Sequence, residues 1–105
     1  MIKVTPRQLR TIKGILAERA PGVSARAFGS RVGGKPKAYS DLDLALVGPG
    51  KLDVVELASL KEAFESSDLP FRVDLLDWNA ISEEFRSAIS KRFEVISALK
   101  PKRRG

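Results

Sequence analysis

A chain of 105 residues, 43% apolar and 30% charged, has the balance of one soluble globular domain, too small to enclose a nucleotide and a second substrate easily. It holds no cysteine and no histidine, which excludes disulfides, thiolate chemistry, Ser-His and Cys-His catalysis and the usual zinc sites. Its net charge of +6 is concentrated at the ends, with +6 over residues 1–31, −4 over 32–97 and +4 over 98–105, so the basicity does not mark the whole fold as a nucleic-acid binder.

Thr5-Pro6-Arg7-Gln8 predicts a helix start: Thr5 caps, Pro6 suits the first helical position and Gln8 completes a capping box. Leu9, Ile12, Ile15 and Leu16 form its apolar stripe, and Pro21-Gly22 ends it. Val23 to Phe28 reads as a short strand. Residues 29–40 read as loop, with room for one helical turn after Ser30. Leu42 to Val47 is a second strand, with Leu42, Leu44 and Leu46 on one face and Asp41, Asp43, Ala45 and Val47 on the other. After the turn Gly48-Pro49-Gly50 comes a helix from Asp53 to Ser66, with Leu57, Leu60 and Phe64 on one side. Phe71 to Leu76 is a third strand. Asn79 to Lys91 is a last helix with Ile81, Phe85 and Ile89 inward, and Phe93 to Ser97 reads as a short edge strand. The order is α/β around a small mixed sheet. The domain is placed at residues 1–98. Residues 99–105 read as a basic, disordered, solubilising tail. No apolar run approaches the roughly 20 residues of a membrane span. The N-terminus MIKVTPRQLR lacks a signal-peptide core, so the expected location is the cytoplasm, away from membranes.

Gly29 to Pro36, GSRVGGKP, imitates a phosphate-binding P-loop, because Gly29, Gly34 and Lys35 fit G-x-x-x-x-G-K. Pro36 stands where Ser or Thr must hold magnesium, and the strand at Leu42 leaves no room for the long helix that follows a P-loop. Gly29-Ser30 belongs instead with the carboxylates downstream. Asp41 and Asp43, two apart on a strand, point the same way with Cα atoms about 6.7 Å apart. Two like charges at that separation repel by about 2 kcal/mol at an effective dielectric of 20. A cation between them reverses the sign. Asp74, flanked by Val73 and Leu75, offers a third carboxylate from a neighbouring strand, which would complete a two-metal site. Any such metal is a hard cation on oxygen ligands, magnesium foremost. Gly29 lets phosphate approach the backbone and Ser30 offers a hydroxyl and an N–H. Each feature alone has a plain folding explanation; the combination does not.

Ala27-Phe28-Gly29-Ser30-Arg31 with Ser40-Asp41-Leu42-Asp43-Leu44 resembles the minimal nucleotidyltransferases of the DNA polymerase β superfamily. Leu60 to Phe64 and Ser67 to Trp78 are similar to the subgroup encoded beside a small helical substrate-binding protein, related to HEPN toxins and their MNT antitoxins. The resemblance spans roughly residues 9–97. It implies that Asp41 and Asp43 ligate two magnesium ions, that Asp74 ligates the nucleophile-side ion, and that Gly29 and Ser30 contact phosphate. It further implies transfer of a nucleotidyl group, AMP from ATP foremost, to a hydroxyl on the HEPN-like partner. Related sequences often carry a basic residue where Gly33 stands, and Pro36 is a further departure. Arg31, Lys35 and Lys37 are candidate triphosphate contacts, with a solvated basic loop as the other reading of the lysines. Tyr39 reads as a turn-packing residue or as a platform for a base. Two rival functions remain open at this point: a non-catalytic antitoxin module that masks its partner, and RNA binding through the basic ends. Scarce aromatics weigh against the latter, and nucleic acid is not the expected partner.

Overall fold

The computed structural model describes residues 2–96. The elements are α1 (Pro6–Arg19), β1 (Ser24–Phe28), α2 (Ser30–Gly33), β2 (Leu42–Val47), α3 (Val54–Glu65), β3 (Val73–Asp77), a 3-10 turn (Trp78–Ala80), α4 (Glu83–Ser90) and β4 (Glu94–Ile96). The proposed tail at 99–105, the boundary at 98 and the last residue of the expected Phe93–Ser97 strand lie outside the described residues.

The capping box forms as the sequence predicts. Thr5 Oγ1 accepts from the Gln8 N–H at 3.1 Å, and Gln8 Oε1 accepts from the Thr5 N–H at 2.9 Å. The stripe of α1 buries Ile12 and Leu16 completely. The sheet order is β3-β2-β1-β4, with β1 antiparallel to both β2 and β4 and β2 parallel to β3. A parallel pair needs a crossover, which α3 supplies, and α3 packs beside α1. The result is a four-stranded mixed sheet flanked by helices, the expected fold class. Leu42, Leu44 and Leu46 are fully buried with Ala25, Ala27, Leu60 and Phe64 in the main core. By alternation along the strands, the opposite face carries Arg26, Phe28, Asp43 and Ala45. There Arg26 lies over the rings of Trp78 and Phe93, at 4.6 and 5.0 Å from their centroids. No helix among the described residues is long and apolar enough to cross a membrane.

Two elements differ from expectation. The third strand begins at Val73 rather than Phe71, because Phe71 is buried ahead of it beneath the Arg31 guanidinium. The expected helix from Asn79 to Lys91 is split. Asp77 caps the 3-10 turn, Ile81 and Ser82 are extended, and Ser82 caps α4 by accepting from the Phe85 N–H at 3.1 Å. Ile89 is buried as expected. Phe85 is 40% exposed, set edge-on against Phe28 at a centroid distance of 6.0 Å rather than turned inward.

Asp77 ties the end of β3 to the connection after β2. Its Oδ2 accepts from the Leu52 N–H at 2.8 Å and its Oδ1 from the Asn79 N–H at 3.1 Å. Asn79 in turn donates to the carbonyls of Gly48 and Gly50. Asp77→Ala leaves two backbone donors without these acceptors. It is expected to lower stability by about 1–3 kcal/mol, read as a lower urea midpoint at unchanged m-value.

Candidate active site

The strand registers assemble the site. Parallel pairing sets Asp43 beside Asp74, and antiparallel pairing sets Asp43 opposite Phe28, the residue before Gly29. One row therefore crosses three strands: Asp74, Asp43, then Phe28 and Gly29. Asp41 precedes β2 by one residue, and its Oδ2 accepts from Arg72 Nη2 at 3.1 Å.

Burial raises the Asp43 pKa above its ordinary value, and the charges of Asp74 and then Asp41 raise it further; Arg72 opposes them. A carboxyl whose folded pKa lies above its unfolded value weakens the fold as pH rises past both values, because the unfolded chain ionises more readily. At neutral pH the ionised Asp43 is thus a strained charge that a cation would relieve. Among the described residues no three acidic side chains converge as a preformed cage. The donor set nevertheless fits a hard divalent cation: carboxylate oxygens only, crowded by like charge, with the Asp41 oxygen held by an exposed guanidinium.

Gly29 has φ +83°, and a β-carbon there would collide with the Asp43 carboxylate. The positive φ calls for glycine, and any side chain there would also displace the Asp43 carboxylate. The close approach brings the Asp43 carboxylate to the start of α2, whose first residue, Ser30, is exposed. N–H groups of a first helical turn have no acceptor within their own helix.

The four basic or polar candidates near Gly29 separate into two groups. Ser30, Lys35 and Lys37 are exposed. Arg31 is not available to a triphosphate. It is only 5% exposed and donates to the carbonyls of Ser40, Lys3, Lys37 and Ala38 at 2.9 to 3.2 Å. Its guanidinium lies 4.0 Å from the Phe71 ring centroid. Burial lowers its pKa, yet a guanidinium stays charged in proteins. Arg31 is a clamp that fixes the loop carrying Lys37. Tyr39 is 78% exposed and so does not pack in the turn.

Two cations escaped sequence reasoning. Arg72 adjoins β3 and reaches back 31 positions to Asp41. Arg92 reaches 59 positions back to the Gly33 carbonyl, and its side chain fills the space that a side chain at Gly33 would occupy. Its place just after α4 carries no local signal. Arg92, Phe28, Gly29, Phe85, Ala88 and Ile89 line a cavity of about 250 Å³ that adjoins the row. A larger cavity, about 410 Å³, lies between α1 and α3 and includes none of the site residues. Of the two, the smaller one borders the row: Gly29 lines it, and the Asp43 carboxylate lies against Gly29.

The model of the family described as polymerase beta nucleotidyltransferase matches residues 10–101. The chain belongs to this nucleotidyltransferase family. It is also 50% identical over 95 residues to a protein of Haemophilus influenzae described as "Probable protein adenylyltransferase MntA", covering 90% of this chain and 83% of that one. A solved structure described as "Crystal structure of the toxin-antitoxin with AMP-PNP" shares the fold at a TM-score of 0.70 and 24% identity, covering 84% of this chain and 71% of that one. As a family member the chain is a nucleotidyltransferase.

Two outcomes check this geometry. Arg31→Lys keeps the charge but not the planar fork. It should cost about 2–4 kcal/mol of stability in urea unfolding, since a buried side chain loses most of its hydrogen bonds to the four carbonyls. Asp43→Asn removes the crowded charge. In metal-free buffer it should raise the thermal midpoint by a few degrees, while the stabilisation that wild type gains from magnesium and ATP should be lost.

Proposed function

We propose that this chain transfers AMP from ATP to a hydroxyl on a partner protein, using Asp41, Asp43 and Asp74 to hold two divalent cations. The observation that carries the reading is the juxtaposition of Asp74, Asp43 and Gly29 in one row, which supports assigning them as nucleophile-side carboxylate, shared carboxylate and phosphate cradle. The MntA likeness supports adenylyl transfer to a protein, and the proposed partner is a small helical protein of HEPN-like, toxin type.

In this reading Gly29 and Ser30 receive the β- and γ-phosphates, with Lys35, Lys37 and Arg92 as flanking cations. Arg31 positions the loop without touching substrate. When bound, two magnesium ions would lower the pKa of the acceptor hydroxyl and neutralise charge on the departing pyrophosphate. The acceptor oxygen forms a bond to the α-phosphorus, and the bond from that phosphorus to the bridging oxygen of pyrophosphate breaks. The hydroxyl proton leaves past Asp74, the exposed end of the row. Among the described residues the exposed site has no wall for the acceptor, and in this reading the partner supplies it.

The test is incubation with each α-labelled nucleoside triphosphate, with and without the partner. Label from ATP should appear on the partner. Asp74→Asn should cut transfer about 100-fold or more, with magnesium-ATP binding kept within a few-fold through Asp41, Asp43, Gly29 and Ser30. Failure of all four nucleotides to label the partner would sink the enzyme reading. A transfer-dead variant that still silences its partner would assign the biological role to masking.

A further inference from the structure

We propose that Arg72 is the built-in counter-ion of the metal site: its guanidinium holds Asp41 until a divalent cation displaces it, so Arg72 sets the site's affinity for metal. The inference rests on the reading of Asp41 as a metal ligand. Arg72 Nη2 donates to Asp41 Oδ2 at 3.1 Å, the oxygen that a cation would need. The backbone fixes this arrangement, because the Arg72 carbonyl accepts from the Leu42 N–H at 2.9 Å. The guanidinium thereby starts between the segment carrying Asp41 and Asp43 and the strand carrying Asp74. Among the described residues, Asp41 is the side-chain hydrogen-bond partner of Arg72, and the Arg72 charge also acts on Asp43.

The pair is made to be exchanged. The Arg72 side chain is 75% exposed and that of Asp41 40%. Exposed pairs of this kind are weak and surrender side-chain entropy to form. A guanidinium cannot lose its proton, so only displacement clears Asp41. A divalent ion brings twice the charge on a compact centre and can engage Asp43 as well. The contrast with Arg31 is informative. Arg31 is buried under four carbonyls and cannot move without unmaking the loop, whereas Arg72 rests on one exposed oxygen. Once displaced, Arg72 remains tethered beside Asp74 as a mobile cation able to pair with an anionic group of the substrate.

Calorimetric titration with Mn²⁺ alone should show Arg72→Gln binding the ion about 2–5-fold tighter than wild type, the gain available from removing one weak competitor. A long-range charge effect could mimic that gain, so the Arg72 Nε–Hε NMR resonance is followed during Mg²⁺ titration. It should move in step with occupancy in wild type. In Asp41→Asn it should start, without metal, where Mg²⁺ leaves it in wild type. Equal or weaker Mn²⁺ binding by Arg72→Gln, or a resonance indifferent to both Mg²⁺ and Asp41→Asn, overturns the proposal while leaving the metal site intact. Wild type that binds no Mn²⁺ in an Asp41- and Asp43-dependent way overturns the site reading itself, and this inference with it.

Discussion

Burial of Leu42, Leu44 and Leu46 is the constraint on which the rest depends. All three are fully buried, and side chains alternate along a strand, so Asp43 is forced to the opposite face. A slip of one residue would send the carboxylate into the core and the leucines to the surface. The energetics favour the observed register decisively. Three buried leucines are worth roughly 5–9 kcal/mol as an upper estimate. The repulsion between Asp41 and Asp43 is worth about 2 kcal/mol. The hydrophobic face therefore dictates where the charges go, and the charges accept the strain. The same register sets Asp43 beside Asp74 and opposite Phe28, so one burial decision builds the row.

The loop between Gly29 and Asp41 needs a different solution, because it has no regular ladder after α2. Arg31 provides it from the inside. One planar group gathers the carbonyls of residues 3, 37, 38 and 40, and so joins the segment before α1 to the segment before β2. Lys3 reinforces the joint, its N–H donating to the Arg31 carbonyl at 2.7 Å. Two arginines near the site thus have opposite duties. The buried one is spent on architecture, and the exposed one at position 72 is left with an exchangeable partner.

What was legible in the sequence was what is local. The Thr5-Pro6-Gln8 box, the leucine alternation of β2 and the one-turn helix at Ser30 each depend on neighbours within a few positions. They appear where the pattern puts them. The placement of Asp41, Asp43 and Asp74 on adjoining segments was also readable, since it needs only strand parity and the α/β order. The roles of Arg31, Arg72 and Arg92 were not readable. Arg31 reaches one partner 28 positions away, Arg72 and Arg92 reach theirs 31 and 59 positions away, and charge on a loop looks alike whether it is buried, paired or free. The split of the last helix was missed for another reason. Asp77 and Ser82 are both helix-start signals, five positions apart, and periodicity through Ile81, Phe85 and Ile89 masks the break between them.

Asp74 and Asp77 show how little residue type says without surroundings. They stand three apart on one strand, yet Asp77 accepts two backbone N–H groups, whereas Asp74 is exposed and burdens its neighbour Asp43 with like charge. A carboxylate placed for stability collects donors. The row collects other carboxylates, and the positive group that opposes them at Asp43 is the exposed Arg72. Folding alone gives no reason to place three acids there and leave them so poorly compensated. The divalent-cation site proposed for them does, because charge left unsatisfied in the free protein is affinity kept for an ion.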